Sequence, residues 1–214
     1  MIITLNDVIW SIVLTLWVGF VVVYLSKKVQ ERTNRYVSRK FIHMAGGGIV
    51  AAISPFVFSS PIYPAILSYL VMVYLLTRRV GGKFMGWFQE RDDYGEITFT
   101  FSFGTIMLIL FFLNLWTDPP NSFAIGLLPI LFMSFGDGVT GIVRNYVYGE
   151  RRKGPWGSLA MLALCVPLGY FLFSYYGVLA AVAATLVEAI PGLDDNLTVP
   201  FVSFLILYLL TILR

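Results

Sequence analysis

Apolar runs near 20 residues recur from one end of the chain to the other, separated by short polar breaks. That is the length a helix needs to cross a hydrocarbon layer of about 30 Å. The pattern predicts eight segments: Asn6 to Leu25, Phe41 to Phe58, Ile62 to Thr77, Ile97 to Trp116, Ser122 to Val143, Ser158 to Tyr175, Gly177 to Ile190 and Leu197 to Leu213. The segment from Gly177 is short for a full crossing, so seven crossings are an alternative. Ser59-Ser60-Pro61 and Thr117-Asp118-Pro119-Pro120-Asn121 read as turns. The expected class is an all-α polytopic membrane protein, residues 1–214 forming one integral membrane domain.

Composition agrees: 58% of residues are hydrophobic and 13% charged. The placement of charge adds more. Of 15 Lys and Arg, six lie between Lys27 and Lys40, four between Arg78 and Arg91, and four between Arg144 and Lys153; Arg214 is the remaining one. Clusters of this kind mark the cytoplasmic side. The expected topology therefore has the N-terminus outside and all three basic loops in the cytoplasm, in the cell membrane if the source is prokaryotic. The first run lacks a basic region before it and a cleavage site after it, and is expected to stay in place. The basic loops serve orientation, head-group binding and phosphate binding; no nucleic-acid polymer is expected as a partner.

Cys165 is the only cysteine and His43 the only histidine. An internal disulfide and a Cys- or His-built metal site are thereby excluded. The polar residues inside the runs, or at their mouths, are then the candidates for chemistry. Asp137 is the most expensive, a carboxylate in Ser134-Phe135-Gly136-Asp137-Gly138-Val139-Thr140 within an apolar run. Intramembrane carboxylates are functional by default. Asp137, Thr140, Gly141 and Arg144 share one helical face, with Arg144 about 10 Å further along the axis. Gly136, Gly138 and Gly141 allow close approach by another backbone or by a ligand; helix packing with a structural Asp–Arg pair is the alternative.

By the topology above, His43, Glu96, Asp137, Ser158, Glu188, Asp195 and Asn196 all fall at cytoplasmic helix ends. Glu188 and Asp194-Asp195-Asn196 offer hard oxygen donors, which suit Mg²⁺ together with substrate phosphates. Arg151-Arg152-Lys153-Gly154-Pro155-Trp156-Gly157-Ser158 joins cations to a glycine turn entering a helix, a phosphate-compatible pattern in which Ser158 is also a plain N-cap candidate. Asp92 and Asp93 read as a solvated loop. Ala45-Gly46-Gly47-Gly48 reads as tight packing. Carboxylates for a divalent ion, cations for phosphates and a site beside the lipid are the parts that phosphoryl or nucleotidyl transfer to a membrane alcohol requires.

Three stretches, spread over about residues 39–200, resemble the CTP-dependent polyprenol kinases, the dolichol kinase and phytol kinase family. Arg39-Lys40-Phe41-Ile42-His43 is similar to an R-K-x-x-H element. Gly136-Asp137-Gly138 through Arg144 and Gly149, then Lys153-Gly154-Pro155-Trp156-Gly157-Ser158, is similar to a G-D block followed by K-[ST]-x-E-G-[ST]. Glu188, then Asp195-Asn196-Leu197 and Pro200, is similar to an E…D-N-x-x-x-P element. Gly154, Trp156 and Val143 depart from the usual residues.

The resemblance implies Mg²⁺-dependent transfer of the γ-phosphate of CTP to the hydroxyl of a membrane isoprenoid alcohol such as dolichol, geranylgeraniol or phytol. It implies metal–triphosphate ligation by Asp137, Asp195 and Asn196, with Glu188 as a ligand or as the base. His43 is the alternative base. Lys153, Gly157 and Ser158 would contact phosphates, aided by Arg39, Lys40, Arg144 and the Gly136 and Gly138 backbone, with Glu96 accessory. A CDP-lipid synthase is the alternative enzyme, and a transporter the distant one.

Overall fold

The computed structural model describes residues 4–116, 123–150 and 152–213. The turn expected at Thr117 to Asn121, with Arg151 and Arg214, lies outside them. Seven helices make up the described chain: α1 (Leu5–Arg32), α2 (Arg35–Val57), α3 (Ile62–Val80), α4 (Gly95–Phe112), α5 (Ala124–Tyr148), α6 (Pro155–Glu188) and α7 (Asp195–Ile212). Among the described residues the β content is one isolated bridge, Glu90 to Asp93. All but α3 are long and apolar enough to cross a membrane. The chain is a multi-pass, all-α membrane protein.

Helix boundaries depart from the apolar runs in a consistent way. The expected basic loop from Ser26 to Lys40 is almost entirely helix: α1 runs on to Arg32 and α2 begins at Arg35. Lys, Arg, Gln and Glu are good helix formers, so hydropathy marked where lipid ends rather than where helix ends. Asn34 provides the break, its side chain accepting from the Val37 amide as the N-cap of α2. α5 likewise continues past Val143 to Tyr148, where Gly149 ends it at φ +68°. α6 starts at Pro155 rather than Ser158. Gly154 is its extended cap residue and Pro155 takes the first helical position, leaving Ser158 inside the first turn.

The sixth and seventh expected segments are the two limbs of α6. Phe173 and Ser174 leave helical geometry, and the chain reverses there. The backbones of Gly169 and Gly177 touch, so a Cβ on either would collide with the other's main chain. The reversal brings Lys153, before the first limb, against the end of the second, where its Nζ donates to the Glu188 carbonyl at 2.6 Å.

α5 is the central helix. Its residues from Ala124 to Leu131 are apolar on every side and all buried, as expected of a helix surrounded by other helices. α1 lies at the periphery, with most of its apolar side chains outward. Three helices widen into π-type turns, at Val21–Leu25, His43–Gly48 and Phe132–Gly136. Carbonyls within them find side-chain donors: Trp87 Nε1 to Val22 O, Trp17 Nε1 to Ala45 O and Thr140 Oγ1 to Gly136 O. In lipid such groups have no water to turn to.

Candidate active site

The site is built where the charged ends of α2, α5, α6 and α7 meet. α2 presents Lys40 one turn before its π-type turn. Lys40 Nζ lies 2.5 Å from Asp137 Oδ2, and both side chains are buried. Asp137 follows directly on the π-type turn of α5; such turns recur at functional sites because they shift a helix's facing by one residue. Two turns further on, Arg144 grips Glu188 with both terminal nitrogens, at 2.5 and 2.9 Å. Glu188 is the last residue of α6 and is wholly buried. Lys153 caps the same helix end. It donates to the carbonyls of Glu188 and Ile190 and to Asp195 Oδ1, the last at 2.7 Å. Cations are favoured at this end of a helix.

The consequence is a cluster of three carboxylates, Asp137, Glu188 and Asp195, from three helices. Each offers one oxygen, and these three oxygens lie within 4.8 Å of one another. Lys40, Arg144 and Lys153 each hold one of them, so formal charge cancels within the cluster. Buried charges persist when paired and hydrogen-bonded in this way. The donor set is all hard oxygen, which fits a divalent ion that also takes phosphate oxygens.

The alternative of an Asp137–Arg144 pair is not what forms: Lys40 takes Asp137 and Glu188 takes Arg144. The glycines around Asp137 admit side chains. A Cβ on Gly136 would meet Cys165 Sγ at 2.5 Å, one on Gly138 would meet Met44 Cγ at 2.5 Å, and one on Gly141 would meet Lys40 Cε at 2.6 Å. Gly157 lies against the Arg144 side chain, and its carbonyl accepts from Thr140 Oγ1 at 3.3 Å. Gly47 and Gly48 receive Phe99 and Phe135, which is the packing expected of that run. Ser158 is half-buried on the first turn of α6.

Asn196 lies one residue beyond the cluster, with its amide nitrogen near Gly95 and its Oδ1 buried without a partner among the described residues. His43 is buried with its ring stacked on Phe99 at 4.1 Å, and among the described residues neither ring nitrogen has a hydrogen-bond partner. Glu96 accepts from Arg79 at 2.6 Å and Gln89 at 2.9 Å. Arg39 pairs with Asp93 at 2.6 Å.

That last pair corrects the solvated-loop expectation for Asp93. The sequence reading also missed Arg79, a buried guanidinium at the end of α3 that donates to the carbonyls of Arg91 and Asp93 as well as to Glu96. A basic residue ending an apolar run reads as an interfacial anchor. Nothing local distinguishes it from a cation that turns inward to hold a loop.

No protein-family profile matches the chain, and no solved structure matches it. A relative among curated proteins is one named probable phytol kinase, chloroplastic, of Triticum aestivum. It is 29% identical over 206 residues, covering 81% of this chain and 67% of the relative. Over most of its length the chain is thus similar to a protein named as a phytol kinase. The three motif stretches of the chain fall together in space. Arg39 to His43 lies on α2, Gly136 to Arg144 on α5, and Glu188 with Asp195 at the junction of α6 and α7. The ion pairs Lys40–Asp137 and Arg144–Glu188 join them.

Proposed function

We propose that the chain is a membrane phosphotransferase that moves the γ-phosphate of CTP to the hydroxyl of an isoprenoid alcohol. The observation that carries this reading is the carboxylate cluster with its three cations, at one end of a membrane helix bundle, in a relative of a protein named as a phytol kinase. Asp137, Glu188 and Asp195 would hold a divalent ion such as Mg²⁺, which when bound supplies neutralisation of the phosphate oxygens. Lys40, Arg144 and Lys153 would then exchange carboxylate for phosphate oxygens. Arg suits bidentate phosphate contact, Lys a point charge.

In the transfer, the alcohol oxygen bonds to the γ-phosphorus, the bond from that phosphorus to the bridging oxygen breaks, and CDP leaves. Where Glu188 serves as the base instead of as a metal ligand it accepts the alcohol proton, and His43 is the other candidate base. The isoprenoid tail stays in lipid or against the apolar helix faces while its hydroxyl reaches the charged end. The density of basic residues at that end supports a cytoplasmic orientation.

The test is to offer purified protein CTP, ATP, GTP and UTP, each with phytol, geranylgeraniol and a long dolichol, and to identify products. An isoprenyl monophosphate with CDP is expected. Pyrophosphate with a CDP-lipid would replace this reading by a cytidylyltransferase. No turnover of any combination would remove it.

A further inference from the structure

Beside the carboxylate cluster lies an open recess of about 890 Å³, lined in part by Arg35, Arg91, Asp92, Tyr94 and Asp194. It is separated from the cluster by single residues. Asp194 precedes Asp195 in the chain. Asp93, on the same wall, pairs with Arg39, and the next residue, Lys40, holds Asp137. A molecule with its phosphates at the cluster would place the rest of itself in this recess.

The wall is braced to a degree that an ordinary connecting loop does not require. Arg79 holds the carbonyls of Arg91 and Asp93 at 2.8 and 2.6 Å, and Glu96 Oε1 at 2.6 Å. Gln89, also buried, donates to the same Glu96 oxygen, and its own Oε1 accepts from the Met85 amide at 2.9 Å. The Gly95 amide donates to Asp93 Oδ1 at 2.8 Å. Burying a cation and its polar partners is costly unless the geometry is tight, so this region of chain is held in one shape.

Tyr94 sits on that wall. Its ring is covered on one side by the Arg79 guanidinium, centred 4.2 Å from the ring centroid. The residue is still 54% exposed, which leaves ring surface open on the recess. A ring fixed from behind and open in front is a platform for a flat heterocycle, since base–aromatic stacking is tolerant of base identity. Discrimination must come from the rim. Asp92 and Asp194 are acceptors there. Carboxylates accept from ribose hydroxyls and from an exocyclic amino group such as N4 of cytosine. A uracil carbonyl in the same position would face acceptor against acceptor.

Resting on the phosphotransfer reading above, we propose that this recess is the nucleoside subsite, in which Tyr94 stacks the base and the rim carboxylates select a base bearing an amino group. The donor's phosphates then run from the recess past Arg39 to Lys40 and the cluster. The rim is mixed, with Arg35 and Arg91 beside Asp92 and Asp194: its carboxylates serve the nucleoside and its cations the donor's phosphates.

The experiment measures equilibrium binding of radiolabelled CTP to the full-length protein in lipid nanodiscs, with Mg²⁺, and steady-state kinetics with CTP and UTP. Tyr94→Ala is expected to raise Kd and KM for CTP about tenfold with kcat little changed, while Tyr94→Phe stays near wild type. Asp92→Asn, at an exposed position, is expected to lower the preference for CTP over UTP severalfold. If Tyr94→Ala fails to fold, Asp92→Asn and Tyr94→Phe carry the test. Unchanged CTP binding and unchanged CTP/UTP preference in an active enzyme would overturn the subsite and leave the phosphotransfer reading standing. CTP binding that depends on Tyr94 in a protein without phosphotransfer would do the reverse. Absence of CTP binding altogether would overturn both.

Discussion

Asp7 and Asp137 are both carboxylates buried in apolar helices, and they are satisfied in opposite ways. Asp7, in the first turn of α1, accepts four hydrogen bonds from neutral donors: the amide and hydroxyl of Thr4 at 3.0 and 2.6 Å, and the amide and hydroxyl of Ser59, both at 2.8 Å. It completes a capping box and ties α1 to the turn after α2. Asp137 is held by one cation and shares its surroundings with two further carboxylates. The first arrangement closes on itself, with every donor supplied by the adjoining turns. The second is neutral only because three cations face three anions, and in the proposed reaction an incoming metal–phosphate group would re-pair both sets. Burial alone therefore does not separate the two carboxylates; the kind of partner does.

The sharpest way to break this contrast is Asp137→Asn. The substitution keeps the shape and removes the charge from the cluster. A fall in kcat/KM of about 10²–10³ is expected, in line with loss of a charged stabilising group at a reacting centre. Size-exclusion behaviour and helical content should be retained. Near-normal turnover would place Asp137 with Asp7, as a structural group.

Arg144→Lys should give a smaller effect. A lysine cannot reproduce the two-point grip on Glu188, so Glu188 would lose its fixed orientation while the cluster keeps its charge. Loss of a partner that orients a metal-ligating side chain typically costs 10–100-fold in metal affinity or activity. The check is titration with Mn²⁺ and CTP beside steady-state rates. Equal losses from Arg144→Lys and Asp137→Asn would argue that charge balance is secondary and Glu188 placement dominates.

The contrast between the two aspartates was only half legible in the sequence. Asp137 stood out because leucine would be the ordinary choice in its run, and the helical spacing correctly placed it and Arg144 on one face. Their partners were not legible. Lys40 is 97 residues from Asp137, and the same spacing left an Asp137–Arg144 pair as the alternative. Which pair forms depends on how α2 and α6 dock against α5, and that is set by packing around Gly136, Gly138 and Gly157. The all-α membrane class followed directly from apolar run length. The helix ends did not, since charged helix formers carry α1 to Arg32 and start α2 at Arg35. The reversal within α6 was read as two segments because Tyr175 to Gly177 interrupts the apolar pattern. The inward turn of Arg79 left no trace in pattern or spacing, because nothing in a loop's sequence says which of its carbonyls a distant cation will cap.

Asp7→Asn tests the other side of the comparison and should have the smallest effect on chemistry. An amide retains one acceptor oxygen but replaces the other with a donor, so the Thr4 and Ser59 groups on that side lose their acceptor. Hydrogen bonds to a charged group contribute about 1.5–3 kcal/mol each in favourable cases. The expected loss is nearer about 1–3 kcal/mol in total, because the end of α1 can relax and recruit water at the membrane surface. A thermal-shift assay in detergent should therefore show a lower midpoint for Asp7→Asn, with kcat and KM for CTP unchanged below that midpoint. The two variants should respond differently to lipid as well. Returning Asp7→Asn to a bilayer should recover most of the midpoint, since lateral packing holds α1 against α2. The activity lost in Asp137→Asn should not return, because no packing restores a missing charge. Recovery of both by lipid, or of neither, would mean that the two carboxylates are the same kind of group.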